Sequence, residues 1–217
     1  MEDVRPGPGE ELNPGPGEEL NPGPVAVPRL AATVIVMRDA AAGLEVLLAR
    51  RNPEARFMGG AWVFPGGAVS REDGEGEAAL RAAGARELAE EAGIALAGPE
   101  ELVTFSRWIT PAEVQIRFDT WFYLAMMPAG QEPRIDGTEI VDARWFSPAA
   151  ALQAGRDHEI LLVFPTIKHL EQLSGFGSVG ELLAYARRQT VRPVQPRVLG
   201  SGEMARIVLP GEDGYDD

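Results

Sequence analysis

The sequence predicts an α+β fold in which helices pack on both faces of a mixed β-sheet, an α/β/α sandwich with a C-terminal helical extension. Short β-branched and aromatic runs mark strands in both halves of the chain. One long helical segment separates the two groups of strands, and further helical segments follow the last strand. A chain of 217 residues is long enough to bury one main core.

The first group of strands contains a hairpin and a short third strand. The apolar run Ala31–Met37 is followed by a turn that ends at Gly43, and Glu45–Arg50 is its predicted hairpin partner. Trp62–Phe64 is the third strand. We expect Pro65–Gly67 to end it as a tight turn.

A helix and three more strands follow. The spacing of apolar residues predicts a helix over Glu77–Ala92, with Gly93 at the position where glycine commonly ends a helix. Strands are predicted at Leu102–Trp108, Arg117–Met126 and Val141–Phe146.

The C-terminal part is predicted to be helical and then irregular. Ser147 and Pro148 are a typical N-cap and first helical residue, which predicts a helix through Gln153. Thr166–Ser174 and Ser178–Gln189 are two further predicted helices. Beyond Arg192 the chain is interrupted by prolines, and we expect no regular structure.

These patterns divide the chain into four parts. Residues 1–24 carry a tandem octapeptide, GPGEELNP, whose prolines and few apolar side chains favour a disordered acidic Pro/Gly tail over a partner-binding repeat. Residues 25–155 form the main domain, 156–211 a helical extension packed on it, and 212–217 an acidic tail.

The net charge of −13 is concentrated in the two tails. Residues 1–24 carry −5 and residues 212–217 carry −4, which leaves −4 for the body. The sequence has no cluster of Lys and Arg residues of the kind that binds nucleic acid, so we expect no nucleic-acid binding. The sequence has no Cys, which excludes disulfides, thiol catalysis and Cys-ligated zinc and fits a cytoplasmic protein. It also shows no long apolar run and no secretory pattern, so we expect no membrane association.

The strongest chemical signal is an acidic turn near the end of the predicted helix. Glu87, Glu90 and Glu91 stand at i, i+3 and i+4, so their carboxylates share one helix face. Such a face is either well solvated or holds a hard divalent cation such as Mg²⁺ or Mn²⁺. The glycines before the helix, Gly66 and Gly67, let a carbonyl approach a metal and an amide approach a phosphate.

At this point the sequence resembles the Nudix hydrolases, whose box reads G-x5-E-x7-R-E-U-x-E-E-x-G-U, with U an aliphatic residue. The second half of the box is matched in full, at Arg86, Glu87, Leu88, Glu90, Glu91, Gly93 and Ile94. The first half differs, because 18 residues separate Gly67 from Arg86 where the box has 13, so Val69–Gly76 is predicted to be a lengthened loop. Ala78 stands where the box expects its first glutamate, with Glu77 beside it.

A second motif is similar to the coenzyme A diphosphatase branch of this family, the RP2-type subgroup. That branch carries L-L-T-x-R-[S/A]-x3-R-x3-G-x3-F-P-G-G before the box. The sequence matches it at Leu47, Leu48, Arg51, Arg56, Gly60, Phe64, Pro65, Gly66 and Gly67. Ala49 and Asn52 depart from it.

The resemblance implies hydrolysis of a nucleoside diphosphate derivative with Mg²⁺ or Mn²⁺ as cofactor. For the branch, the implied reaction cleaves CoA or acyl-CoA to 3′-phosphoadenylate and (acyl-)phosphopantetheine phosphate. The implied metal ligands are the Gly66 carbonyl and the carboxylates of Glu87, Glu90 and Glu91. Arg86 is expected to orient Glu87 by an ion pair.

Other site residues have alternatives that the sequence leaves open. Glu139 is a candidate metal ligand or general base, or else a solvated loop residue. Arg51 and Arg56 suit phosphate binding, with surface ion pairs as the alternative. The Gly67 amide is a further candidate phosphate contact. Trp108 either stacks on adenine or belongs to the core.

Two other functions remain open at this stage. One is a pyrophosphatase acting on ADP-ribose, NADH or another nucleotide derivative. The other is a Nudix-fold sensor that binds a nucleotide without cleaving it. In each case we expect a small-molecule partner, no nucleic acid and a possible homodimer.

Overall fold

The computed structural model of the chain describes residues 23–55, 57–200 and 206–216. Most of the predicted tail 1–24 lies outside these residues, as do Arg56 and the last residue of the predicted tail 212–217. The predictions made for those parts therefore stay predictions.

The described residues form eleven strands and four α-helices. The strands are β1 Arg29–Ala40, β2 Gly43–Arg51, β3 Ala61–Val63, β4 Gly66–Ala68, β5 Val103–Ile109, β6 Phe118–Met126, β7 Ile140–Phe146, β8 Leu161–Leu162, β9 Pro193–Val194, β10 Arg197–Leu199 and β11 Arg206–Val208. The helices are α1 Gly76–Ala92, α2 Pro148–Arg156, α3 Phe164–Leu173 and α4 Val179–Ala186.

Nine of these strands form one mixed sheet. Its main order is β8-β3-β2-β1-β6-β5-β9, with β4 also paired to β1 and β7 to β2. Strand β1 pairs antiparallel with β2 and parallel with β6 over nine residues, so it is the centre of the sheet. Strands β10 and β11 form a separate antiparallel pair, called the C-terminal hairpin below.

Helices cover both faces of this sheet because β1 buries side chains on both sides. Ala32, Val34 and Val36 face helix α1 and pack with its residues, including Leu88. Ile35 and Met37 point to the other face, where they pack with the buried residues of the other three helices. The two apolar clusters give the predicted α/β/α layers.

The helix termini follow the predicted chemistry. Gly93 has a left-handed backbone, φ 64°, and donates its N–H to the carbonyls of Ala89 and Leu88, which ends α1. The Ser147 hydroxyl accepts a hydrogen bond from the Ala150 N–H and caps α2. No helix among the described residues combines the length and the hydropathy needed to span a bilayer.

Two expectations about irregular segments are wrong. Gly66 and Gly67 belong to strand β4, which pairs antiparallel with β1, rather than to a free turn. The chain beyond Arg192 is also partly regular, because β9 joins the edge of the sheet beside β5 and the C-terminal hairpin follows. Proline is tolerated on such an edge strand, where its missing N–H is not needed for the ladder.

His169 of α3 lies in the core and has a structural role. Its side chain is only 1% exposed and packs against aromatic side chains. The centre of the Phe122 ring lies 4.1 Å from the centre of the His169 ring. Its Nδ1 lies 2.6 Å from the Pro165 carbonyl and its Nε2 lies 2.6 Å from the Ser106 hydroxyl. A carbonyl only accepts, so Nδ1 carries the proton and Nε2 accepts from Ser106. Burial lowers the pKa of His169 to about 4.

This burial predicts a loss of stability in mild acid. The unfolded chain takes up a proton on His169 near its ordinary pKa of 6.5, whereas the folded chain takes it up near 4. The contribution to the free energy of unfolding is therefore present above pH 6.5 and is lost as the pH falls towards 4, by about 3 kcal/mol. Urea unfolding of the wild type and of His169→Leu between pH 6.5 and 4 measures this pH dependence of the free energy of unfolding.

The variant should be less stable at neutral pH but should show a smaller fall in stability between pH 6.5 and 4. His158→Asn is the matched control, because His158 has a positive φ of 58°, which asparagine tolerates. Parallel stability curves for the wild type and His169→Leu would contradict the assignment.

Candidate active site

One open cavity of about 860 Å³ collects most of the residues singled out in the sequence. It lies where the C-terminal half of α1, strand β4 and the loop before β7 meet. Its polar end is lined by Arg51, Gly66, Gly67, Glu87, Glu90, Glu91, Asp136, Thr138 and Glu139. Residues distant in sequence thus converge on the acidic turn of α1.

Two glycines of β4 permit close packing beside the acidic turn. A Cβ atom on Gly66 would lie 2.5 Å from the Ala32 carbonyl oxygen of β1. A Cβ atom on Gly67 would lie 2.5 Å from the carboxyl group of Glu87. The Gly66 N–H donates to Glu91 Oε2 at 2.9 Å. A side chain at Gly66 would therefore collide with the backbone of β1, and one at Gly67 would displace the Glu87 carboxyl group.

The Arg86 guanidinium links the acidic turn to the loop before α1. Its Nη1 donates to Glu87 Oε1 at 2.7 Å and to Glu90 Oε2 at 3.0 Å. Its other side forms a two-point ion pair with Asp73, from Nε at 2.9 Å and from Nη2 at 3.0 Å. The predicted ion pair with Glu87 is present, and these carboxylates raise the pKa of Arg86 further above its usual range.

Asp73 is the important residue that the sequence interpretation missed. It comes from the lengthened loop, its side chain is 4% exposed, and the hydrogen bonds from Arg86 help to lower its pKa to about 2. Ala78, at the motif position for glutamate, is exposed, and Glu77 pairs with Arg81 instead. The Ser-x-x-Asp pattern at Ser70 was the available signal, because the Ser70 N–H and hydroxyl both bond Asp73.

Glu91 is the buried carboxylate of the site. It is 4% exposed, and burial raises its pKa to about 7 against the opposing effect of the Gly66 N–H. The negative charges of Glu87 and Glu139 raise the pKa further, whereas the positive charge of Arg51 lowers it. Glu139 and Arg51 line the same cavity as Glu91.

Arg51 enters the cavity from the end of β2. The register of β2 against β7 shifts between Arg50 and Arg51, an irregularity of the kind that redirects a side chain at a sheet edge. Its Nε is buried and has no hydrogen-bond partner among the described residues. A guanidinium with an unpaired N–H group can donate hydrogen bonds to an anionic ligand.

The loop that carries Glu139 is fixed by its own hydrogen bonds. Asp136 accepts from the N–H groups of Thr138, Glu139 and Ile140 at 2.7–2.9 Å. Burial would raise the pKa of Asp136, but these bonds and that of the Thr138 hydroxyl outweigh it and lower the pKa to about 2. Asn52 also donates its backbone N–H to the Glu139 carbonyl. Glu139 is therefore held at the cavity by an ordered loop.

Trp108 lines the same cavity but also packs on the core. It is partly buried, with its ring 5.5 Å from His169 and 6.2 Å from Phe164. One part of the Trp108 side chain therefore belongs to the core, as one of the two alternatives expected. Stacking of Trp108 on a base stays a prediction.

The acidic turn does not form a closed metal cluster as it stands. Within residues 23–55, 57–200 and 206–216, no three acidic or histidine side chains have the arrangement of metal ligands. Arg86 holds Glu87 and Glu90, and Gly66 holds Glu91. The protein's own donors thus partly satisfy these carboxylates.

Replacing Asp73 should destabilise the loop and α1 together. Asp73→Asn keeps the size of the side chain but removes the charge from a mostly buried ion pair, so we expect a loss of about 1–3 kcal/mol in the free energy of unfolding. Chemical denaturation measures it, and Glu72→Gln on the exposed neighbour is the control. An unchanged midpoint for Asp73→Asn would show that the ion pair does not anchor the loop.

Known proteins share this fold and parts of the sequence. A NUDIX hydrolase structure from Alicyclobacillus acidocaldarius superposes with a TM-score of 0.67 at 27% identity, covering 74% of this chain and 97% of that chain. The predicted fold class is thereby confirmed. The chain is also 26% identical over 123 residues to acyl-coenzyme A diphosphatase NUDT19 of Xenopus laevis, covering 54% of this chain and 32% of the relative.

The human NUDT19 protein gives a similar result, 27% identity over 119 residues, covering 52% of this chain and 32% of the relative. The chain therefore spans about a third of the length of these curated relatives, which confirm the resemblance to the coenzyme A diphosphatase branch. The NUDIX domain family matches residues 27–164, well over half of the chain. From this match and the shared fold, we conclude that the chain belongs to the NUDIX family.

Proposed function

We propose that this chain is a Mg²⁺- or Mn²⁺-dependent Nudix hydrolase that cleaves the diphosphate of CoA or an acyl-CoA. The products would be 3′-phosphoadenylate and phosphopantetheine phosphate, with or without the acyl group. The observation that carries the proposal is the convergence of Arg51, Glu139 and the Glu87–Glu91 turn on one cavity. The names of the two curated relatives support the substrate class.

The donor set at the polar end fits a hard divalent cation. It offers only oxygen ligands, the carboxylates of Glu87, Glu90, Glu91 and Glu139 and the carbonyl of Gly66, which is the chemistry that Mg²⁺ prefers. The buried position of Glu91 also favours a nearby positive charge. Such an ion supplies charge neutralisation for the diphosphate and activation of a water. Glu87 and Glu90 would bind it while one oxygen of each carboxylate stays bonded to Arg86.

The other polar groups suit the negative charge of a diphosphate. Arg51 brings a guanidinium whose Nε has no partner in the described structure, so it can bind phosphate oxygens. Gly67 lines the same cavity, and its backbone amide is proposed as a further phosphate contact. Arg56 is proposed for the same role from the sequence motif, although it lies outside the described residues.

Glu139 is proposed as a metal ligand or as the general base that takes a proton from the attacking water. The hydrogen-bonded loop around Asp136 fixes its backbone at the cavity edge. A base must be held within reach of the water, and the hydrogen-bonded loop supports this role for Glu139. Arg86 is proposed as a positioning residue for Glu87.

A substrate panel tests the proposed function. The full chain with Mg²⁺ is incubated with CoA, acyl-CoAs, ADP-ribose and NADH, and the products are separated by chromatography. We expect 3′-phosphoadenylate from CoA or its esters. Preference for ADP-ribose or NADH by orders of magnitude would instead favour the pyrophosphatase alternative. Binding without any Mg²⁺-dependent product would favour the sensor alternative.

A single substitution tests the carboxylates in the same assay. Glu90→Gln should lower kcat by more than about 10²-fold, because it removes a charge that would hold the cation beside the diphosphate. Glu77→Gln is the matched control, since Glu77 lies on the same helix but pairs with Arg81 outside the cavity. Near-wild-type turnover of Glu90→Gln would remove Glu90 from the proposed site.

A further inference from the structure

The cavity has a second, apolar end that the proposed chemistry does not use. It is lined by Trp108, Pro111, Ile116, Phe118, Pro196 and Ile207, here called the apolar end. Ile116 is 47% exposed, so this end presents a large aliphatic side chain to the open cavity. The polar and apolar ends belong to one continuous space.

The register of the sheet gives the separation of the two ends. Thr33 of β1 pairs with Gly66 at the polar end, and Arg29 of β1 pairs with Phe118 at the apolar end. Four residues along a strand span about 13 Å. A ligand whose diphosphate lies at the acidic turn can therefore reach the apolar end only with a group of that length.

The C-terminal hairpin supplies one wall of the apolar end. Ile207 of β11 pairs with Val198 of β10, and Pro196 directly precedes β10. The hairpin is attached to the loop before β6, because the Val198 N–H donates to Glu113 Oε2 at 3.4 Å. These residues follow the 27–164 segment that matches the family. This wall is therefore an addition to the matched domain.

The chemistry of the apolar end favours an aliphatic ligand. The Thr110 hydroxyl is already bonded to the backbone of Phe118, from which it accepts an N–H bond at 3.0 Å. The Arg29 guanidinium lies over the Phe118 ring at 5.9 Å. A nucleobase needs polar partners for its edges, whereas an alkyl chain needs only apolar surface.

Building on the proposed function, we propose that the apolar end binds the acyl chain of an acyl-CoA. Ile116 and Ile207 are then specificity-determining residues that set how much of the chain is buried. Each methylene moved out of water favours binding about fourfold. The protein should therefore prefer a dodecanoyl ester to free CoA by at least about tenfold.

The test compares dodecanoyl-CoA with free CoA in the full-length wild type, Ile116→Asp and Ile207→Asp. Binding is measured by calorimetry without a metal, and kcat/KM is measured with Mg²⁺. Each variant should weaken dodecanoyl-CoA binding by about tenfold or more, because the new carboxylate must be desolvated beside the chain. Free CoA should change by less than about twofold. Met126→Asp, at the far end of β6, is the matched control for an exposed apolar side chain.

Two results would overturn the proposal. Equal wild-type affinity for dodecanoyl-CoA and free CoA would show that the apolar end holds no acyl chain. An equal loss for both ligands in the variants would show that it holds the shared nucleotide part, such as adenine. Because binding is measured without turnover, tighter dodecanoyl-CoA binding with no hydrolysis would refute the proposed reaction and leave the acyl site standing. Hydrolysis with equal preference for dodecanoyl-CoA and free CoA would support the proposed reaction and refute the acyl site.

Discussion

The architecture of the site depends on the charge balance around Arg86. Three glutamates on one turn of α1 repel one another, and their face needs a positive charge nearby. Arg86 lies in that turn and makes five side-chain hydrogen bonds, to Asp73, Glu87, Glu90 and the Ala68 carbonyl. One guanidinium therefore fixes the helix, the lengthened loop and strand β4 relative to one another.

The one departure within the acidic motif lies close in sequence to this arginine. The motif's first glutamate is missing, since Ala78 stands at its position and faces solvent. The lengthened loop returns a carboxylate, that of Asp73, to the other side of Arg86. Through Arg86, the extra loop residues are thus tied to the acidic turn. The glycines of β4 then allow the turn to lie directly against the sheet.

The sequence predicted what depends on local pattern. Helix α1 and its Gly93 terminus follow from apolar periodicity and glycine chemistry, and the β1–β2 hairpin follows from two apolar runs around a turn. Strand β4 and the C-terminal strands were missed because their pairing partners are distant in sequence and glycine and proline conceal them. Asp73 was missed because its partner lies 13 residues away and the motif directed attention to Ala78.

The centre of the proposed site is a cation that the carboxylates of α1 would hold beside the Arg86 contacts. Equilibrium binding of Mn²⁺ to the wild type and to Glu91→Gln, followed by the electron paramagnetic resonance signal of free Mn²⁺, tests this most directly. We expect the variant to bind Mn²⁺ at least about tenfold more weakly, because it loses a buried carboxylate ligand. Identical binding curves for two equally folded proteins would contradict the assignment of the acidic turn as the cation site.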